Sequence, residues 1–299
     1  MLLITGANGF LGSAIVRQAL QRGIAVRAMV RPGSSIDLLA DFPSDHIVEA
    51  DLEKPESLEL ATRGCTAVIN CAGTTSEAAP DLELSRRTNV EGLRALLAAC
   101  AKNGARRFIQ MSSQSSLPTN ASAYGKTKWE AEQVLRASAG IDWTILKPSI
   151  IYGPQLRGIF AKMVAHCDKL PVMPIIGSGN EEQRPVHVDD VAVAALDCLA
   201  TPATIGGTYD LGGKDVLSFT DFVKAIIRAR GRKTPCFHLP VPIALVIATV
   251  LSTFLKNPPL TPDNVRGIKL APHVDNTAAE RDFHYNPRTF EDGLQDLKK

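Results

Sequence analysis

The sequence predicts an α/β fold: a doubly wound parallel sheet with a smaller, mostly helical C-terminal substrate region. Three observations predict it. Short apolar runs alternate with helix-like segments through the first half of the chain. A glycine-rich turn joins the first run to the first helical segment. Beyond Tyr152-Gly153-Pro154 the rhythm changes, with Pro171, Pro174, Gly177 and Gly179 clustered. Strands separated by helices are joined by crossovers, so the sheet is parallel and apolar on both faces.

Met1–Thr5 is a short apolar strand. Phe10–Gln21 has Leu11, Ile15, Ala19 and Leu20 at helical spacing and stops at Gly23. Ile24–Val30 and Ile47–Ala50 read as strands, and Pro55–Thr62 as a short helix. Ala67–Cys71 is a buried strand. Asp81–Lys102 reads as one long helix ending near Gly104. Arg107–Met111 is a strand, Ala123–Ala139 a helix and Trp143–Leu146 a strand. Further on, Val186–Val188 and Thr208–Leu211 are strand-like. Asp189–Leu199, Ser218–Ala229 and Thr261–Ile268 are helical. The expected division is residues 1–154 with 186–212 as the dinucleotide-binding domain. Residues 155–185 with 213–299 form the substrate region.

Composition narrows the function classes. The 299 residues carry 33 basic and 31 acidic side chains, a formal charge of +2. Arg86-Arg87 and Arg106-Arg107 are isolated pairs, so no nucleic-acid partner is expected. Six scattered cysteines without a C-x-x-C pair read as buried thiols in a reducing compartment. No basic region followed by an apolar run opens the chain, which points to a cytoplasmic protein. Val241–Leu255 is uncharged but shorter than the roughly 20 residues that span a bilayer. It reads as a buried helix, with membrane-surface contact as the alternative.

The turn Thr5-Gly6-Ala7-Asn8-Gly9-Phe10-Leu11-Gly12 closes the first strand and opens the first helix. In that context the glycines mark a Rossmann-type dinucleotide site. Gly6 permits the tight turn, Gly9 lets backbone approach a pyrophosphate, and Gly12 lets the helix pack on the sheet. Asn8, Phe10 and Leu11 complete the candidate phosphate loop. The phosphates then meet free N–H groups at a helix N-terminus. After the second strand no acid is present to bind the ribose of NAD. Arg31, with Ser34 and Ser35, suits the 2′-phosphate of NADP instead. NADP is the expected cofactor, with NAD the alternative.

Tyr124 and Lys128 lie four residues apart and share a helix face. A tyrosine ionises at about pH 10, and a nearby ammonium favours the phenolate. Such a tyrosine can exchange the proton of a carbinol. Ser112 and Ser113, just past the fifth strand, are placed to hold the substrate oxygen. His187, Asp189 and Asp190 invite a metal reading, but either acid also suits a helix cap, and no metal is expected.

With these residues the sequence resembles the short-chain dehydrogenase/reductase superfamily, in its extended or atypical branch of NAD-dependent epimerase/dehydratase-like proteins. The likeness runs from the Thr5–Gly12 turn through Asp51-Leu52, Asn70–Gly73, Thr88-Asn89-Val90 and Ser112-Ser113. It continues in Tyr124 with Lys128, Lys147-Pro148-Ser149, Tyr152-Gly153-Pro154 and His187–Val191. The resemblance implies that Ser113, Tyr124 and Lys128 are catalytic, with Tyr124 and Lys128 also facing the cofactor. It implies that Asp51 and Leu52 hold the adenine. Cys71, Ala72, Gly73, Pro148 and Ile150 would lie along the nicotinamide side. Lys147 departs from the pattern, which has arginine there.

Two features separate the chain from nucleotide-sugar enzymes of this branch. Gln114-Ser115 stands where dehydratases carry an acidic pair, and only ten residues separate Ser113 from Tyr124. The tail, with Leu239–Pro242, Pro258–Thr261 and Asn286–Phe290, is similar to the Rossmann-type subunit of respiratory complex I and to 3β-hydroxysteroid dehydrogenase-like proteins. This implies an oxidoreductase acting on a carbonyl or alcohol, apolar in character. A nucleotide-sugar epimerase and a cofactor-binding structural or assembly protein are the alternatives. Substrate contacts are expected among Thr74, Thr75, Gln155, Arg157, Phe160, Met163 and Arg184. A homodimer formed through the Asp81–Lys102 and Ala123–Ala139 helices is a further expectation.

Overall fold

The computed structural model describes residues 1–74, 81–120, 122–155, 158–255, 262, 265 and 273–297. It divides into two compact units. The first comprises Met1–Ser149, Val186–Gly212 and Val274–Pro287. The second comprises Ile150–Pro185, Gly213–His273 and Arg288–Lys299.

The first unit is built on seven parallel strands: β1 (Leu2–Thr5), β2 (Val26–Val30), β3 (Ile47–Glu49), β4 (Ala67–Asn70), β5 (Arg107–Met111), β6 (Asp142–Pro148) and β7 (Thr208–Leu211). Their order is β7-β6-β5-β4-β1-β2-β3. Every residue of β1 and of β4 is buried, as a strand covered on both faces must be. One face packs Leu3, Val68 and Phe108 against Leu58, Leu96 and Leu135. On the other, helix α1 (Phe10–Gln21) lies against the helix Val188–Ala200. Strand order reverses between β1 and β4, so the loops at their C-terminal ends flank a topological switch point, where sheets of this kind bind ligands.

Further helices of this unit are α2 (Pro55–Thr62), α3 (Leu82–Arg86), α4 (Gly92–Asn103) and α5 (Ala123–Arg136). The long helix expected over Asp81–Lys102 carries a π-turn at Arg87–Glu91 between α3 and α4. Periodicity alone does not reveal such an insertion, because both flanking pieces keep helical spacing. Asp81 caps α3 by accepting the Glu83 N–H at 3.0 Å. Gly104, in the left-handed region, ends α4.

The segment Val274–Pro287, expected in the substrate region, belongs to the first unit. Its side chains explain why. Asn276 Oδ1 accepts the Gly212 N–H at 2.8 Å, and its Nδ2 donates to the Gly212 carbonyl at 3.0 Å. Tyr285 Oη donates to that same carbonyl at 2.9 Å. Phe283 stacks edge-on against Tyr209, with centroids 5.3 Å apart.

The second unit has its own core of Tyr152, Phe160, Phe222 and Phe290, with Val164 and Ile226. Phe222 and Phe290 lie 5.1 Å apart, and Tyr152 meets Phe290 edge-on at 5.0 Å. Burying each such ring contributes about 1.5–3 kcal/mol. Besides its helices, this unit holds two short strand pairs: Met173–Ile176 with Cys236–Leu239, parallel, and Glu182–Gln183 with Leu217–Ser218, antiparallel. The helix Val241–Phe254 is not fully buried. Ala244 and Ala248 are enclosed, while Ile243, Val246, Val250 and Phe254 are exposed. Among the described residues no helix is long and apolar enough to cross a membrane. The helix expected over Thr261–Ile268 falls largely outside the described residues.

Candidate active site

The glycine turn is shaped by close approach. Gly6 has φ +61°, and a Cβ there would stand 2.9 Å from the Ala72 nitrogen. A Cβ on Gly12 would stand 2.1 Å from the Gly6 carbonyl oxygen. Gly9 caps α1 in extended conformation without a side-chain bond, and the first turn of α1 carries no acid. Its leading N–H groups are therefore open to an anion. Gly9 N donates to Gly6 O at 2.9 Å, which closes the turn.

The loop after β2 is tied to this turn. Asn8 Nδ2 donates to Ser34 Oγ at 2.9 Å and to the Ser35 carbonyl at 2.8 Å. Ser34 Oγ donates to the Arg31 carbonyl at 2.6 Å. Arg31 is exposed. The cradle and the basic loop together fit a dinucleotide.

Ser113 and Tyr124 lie near the end of β5, and Lys128 reaches the same strand end through its own partner. The Ser113 side chain lies beside the Tyr124 hydroxyl. Burial pushes the Tyr124 hydroxyl above its ordinary value, and Ser113 beside it opposes that only in part. The expected lowering of Tyr124 by Lys128 is therefore absent: the lysine points elsewhere. Lys128 Nζ donates to the Met111 carbonyl at 2.6 Å. Burial pushes Lys128 down to about 8, against the pull of Cys71 and Glu132. Cys71, at the end of β4, is itself pushed up to about 12 by burial. Tyr124 is thus a neutral phenol and Lys128 is mainly an ammonium at neutral pH. That pairing suits proton donation to a developing alkoxide.

Ser112 faces away from this group. Its Oγ donates to the buried Glu132 carboxylate at 2.5 Å. Gln114 Nε2 donates to the Lys147 carbonyl at 2.8 Å, and Lys147 Nζ to the Ser116 carbonyl at 3.1 Å. Pro148 is buried at the end of β6. Asp51 is half-buried and accepts the Glu53 N–H at 3.0 Å, while Leu52 is enclosed in the core. Ala72 is half-buried and Gly73 exposed. Ile150 opens the second unit and packs on its aromatic core.

Asn89, which the sequence pattern contained without a role, is a central clamp. Its Oδ1 accepts the Thr74 N–H at 2.8 Å, and its Nδ2 donates to the Thr74 carbonyl at 3.3 Å and to Thr127 Oγ1 at 3.0 Å. Thr127 lies on α5 between Tyr124 and Lys128. The π-turn puts this amide between the end of β4 and α5. A polar residue inside an otherwise helical pattern was the available signal.

Of the expected substrate contacts, Phe160 is core of the second unit and Met163 packs beside it. Arg184 Nε donates to the Gly213 carbonyl at 2.8 Å. Gln155 is half-buried. Thr75 and Arg157 lie outside the described residues. The capping role expected of Asp189 or Asp190 falls to His187, because the helix begins one residue earlier, at Val188. His187 Nδ1 accepts the Asp189 N–H at 3.2 Å, and Asp189 pairs with Arg17. Among the described residues no cluster of metal ligands occurs.

The NAD dependent epimerase/dehydratase family profile matches residues 2–212. The chain is 30% identical to a ceramide reductase of Caulobacter vibrioides, over 85% of this chain and 78% of that protein. It is 24% identical to a 2-alkyl-3-oxoalkanoate reductase of Shewanella oneidensis, over 99% and 84%. A UDP-glucose 4-epimerase structure from Thermotoga maritima superposes with TM-score 0.77 at 20% identity, covering 98% of this chain and 96% of that one, a likeness of fold.

Proposed function

This chain belongs to the NAD dependent epimerase/dehydratase family, and from that premise we propose that it is an NADP-dependent reductase of a carbonyl group on an apolar substrate. The observation that carries the reading is Tyr124 beside Ser113, on the helix face that also bears the buried Lys128. Two reductases among the similar proteins support it, one of ceramide and one of an alkyl-substituted oxoalkanoate. An apolar substrate carrying a carbonyl is the chemistry that their names share.

NADPH, when bound, supplies the hydride. Gly6, Asn8, Gly9, Phe10, Leu11 and Gly12 would hold its pyrophosphate, and Arg31 its 2′-phosphate. Asp51 and Leu52 would hold the adenine. Cys71, Ala72, Gly73 and Pro148 would line the nicotinamide. Ser113 Oγ holds the substrate carbonyl oxygen. Tyr124 Oη gives that oxygen its proton as the carbon is reduced to a carbinol, and Lys128 on the same helix face serves the bound cofactor.

The test is thermal stabilisation of the full chain by NADPH, NADH and UDP-glucose. A ligand that binds only the folded state adds RT ln(1 + [L]/Kd), about 2.7 kcal/mol at a hundredfold excess. NADPH is expected to raise Tm more than NADH, and UDP-glucose to leave it unmoved. Consumption of NADPH with long-chain 3-oxo acids and N-acyl ketones then identifies the substrate. A shift with UDP-glucose would transfer the chain to the epimerases. No shift with either dinucleotide would remove the reading.

A further inference from the structure

Three buried polar side chains stand side by side across the centre of the sheet. Thr5, Asn70 and Gln110 are all 3% exposed or less. They stand at the C-terminal ends of β1, β4 and β5 and are directly in register: Thr5 faces Asn70, and Asn70 faces Gln110. Burying amides at the centre of a sheet is costly unless every group is bonded. Here every link is made, and all run one way. The Ala72 N–H donates to Thr5 Oγ1 at 3.1 Å, and Thr5 Oγ1 donates to Asn70 Oδ1 at 2.5 Å. Asn70 Nδ2 donates to Gln110 Oε1 at 2.9 Å. Gln110 Nε2 donates to the Met111 carbonyl at 3.0 Å. That carbonyl is the acceptor of Lys128.

Head-to-tail donors polarise one another, and the donor end of this chain arrives at Met111. A carbonyl has two lone pairs, but two donors on one oxygen draw on the same electron density and weaken each other. Lys128 is thus attached to an acceptor already half used.

We propose that Asn70 and Gln110 are positioning residues for Lys128: their amide chain occupies one side of the Met111 carbonyl, so that the ammonium is held there by a shared acceptor and is free to turn toward a bound dinucleotide. The proposal rests on the reading that Lys128 serves the cofactor. Without the chain, Lys128 takes the whole carbonyl and is held back. The start of the chain at Ala72, one residue past Cys71, ties the same ladder to the loop assigned to the nicotinamide.

A double-mutant cycle on NADPH binding tests this, read by fluorescence titration of the full-length protein with NADPH alone. The variants are Gln110→Met, Lys128→Met and the pair, each checked for a folded thermal transition. Gln110→Met is expected to weaken NADPH roughly tenfold, the worth of one hydrogen bond to a charged group. In the Lys128→Met background the same change is expected to cost less than about twofold. An equal loss in both backgrounds would show that Gln110 merely supports the sheet, and the proposal would fall while the catalytic reading stands. A Lys128→Met protein that binds NADPH as tightly as the parent would remove Lys128 from the cofactor site, and the proposal with it. Asn70→Val breaks the chain one link further away and is read by the same criteria, so a poorly folded Gln110→Met does not decide the outcome.

Discussion

Lys128 on α5 donates to the Met111 carbonyl at the end of β5 at 2.6 Å, and the ammonium is buried there at a cost. Its ordinary value of 10.5 falls to about 8 in the folded protein. Between those two values the unfolded chain binds the proton and the folded one does not, so native stability rises with pH across that window. Below about pH 8 the full burial penalty is present. Lys128→Met is therefore expected to raise Tm at pH 7, and the gain is expected to shrink from pH 8 to pH 10.5. Calorimetry of both proteins across that range checks it. A gain that stays constant with pH would mean that burial of the charge is not its source.

Tyr124→Phe removes the proton donor and leaves the ring. Reduction of a responsive carbonyl is expected to fall about 10²–10⁴-fold. NADPH-induced stabilisation is expected to persist, because the glycine turn is untouched. Steady-state rates and melting curves on the same preparation separate the two effects. Loss of cofactor binding alongside activity would point to a structural tyrosine instead.

Arg31→Ala addresses cofactor choice. A charge-assisted contact contributes about 1.5–3 kcal/mol, so NADPH affinity is expected to fall roughly tenfold to a hundredfold. NADH affinity is expected to stay within about twofold, since it lacks the 2′-phosphate. Titration of both dinucleotides against both proteins gives the ratio. An unchanged ratio would reduce Arg31 to a solvated charge.

Gly12→Ala places a methyl 2.1 Å from the Gly6 carbonyl oxygen, with backbone on both sides. Neither partner can yield, and the expected cost is about 3 kcal/mol or more. Loss of the NADPH-induced Tm shift, or of soluble protein, is the expected result. An alanine variant that melts and binds like the parent would mean that α1 can move away from the turn.

Local pattern made much of this legible. The glycine turn, Arg31, and the four-residue spacing of Tyr124 and Lys128 are short-range features, and each lies on the element its pattern implied. What escaped depends on residues far apart in the chain. Thr5, Asn70 and Gln110 form a ladder only after three strands align, and each alone is an isolated polar residue in an apolar run. Asn89 reaches Thr74 and Thr127 because a π-turn shifts its helix, which helical periodicity does not encode. For the same reason, sequence spacing shows that Tyr124 and Lys128 share a face but not that the lysine's partner is the Met111 carbonyl.

The bonds from Asn276 and Tyr285 to Gly212 have a consequence for how the protein is made. The nucleotide-binding half is not finished when its last sheet strand leaves the ribosome. It waits for a segment synthesised some sixty residues later, after nearly all of the second unit has emerged. Domains generally complete in order during synthesis, but here the first must remain open until the second is almost made. A nonsense mutation or proteolytic nick shortly before Val274 would therefore strike the half that lies earlier in the chain.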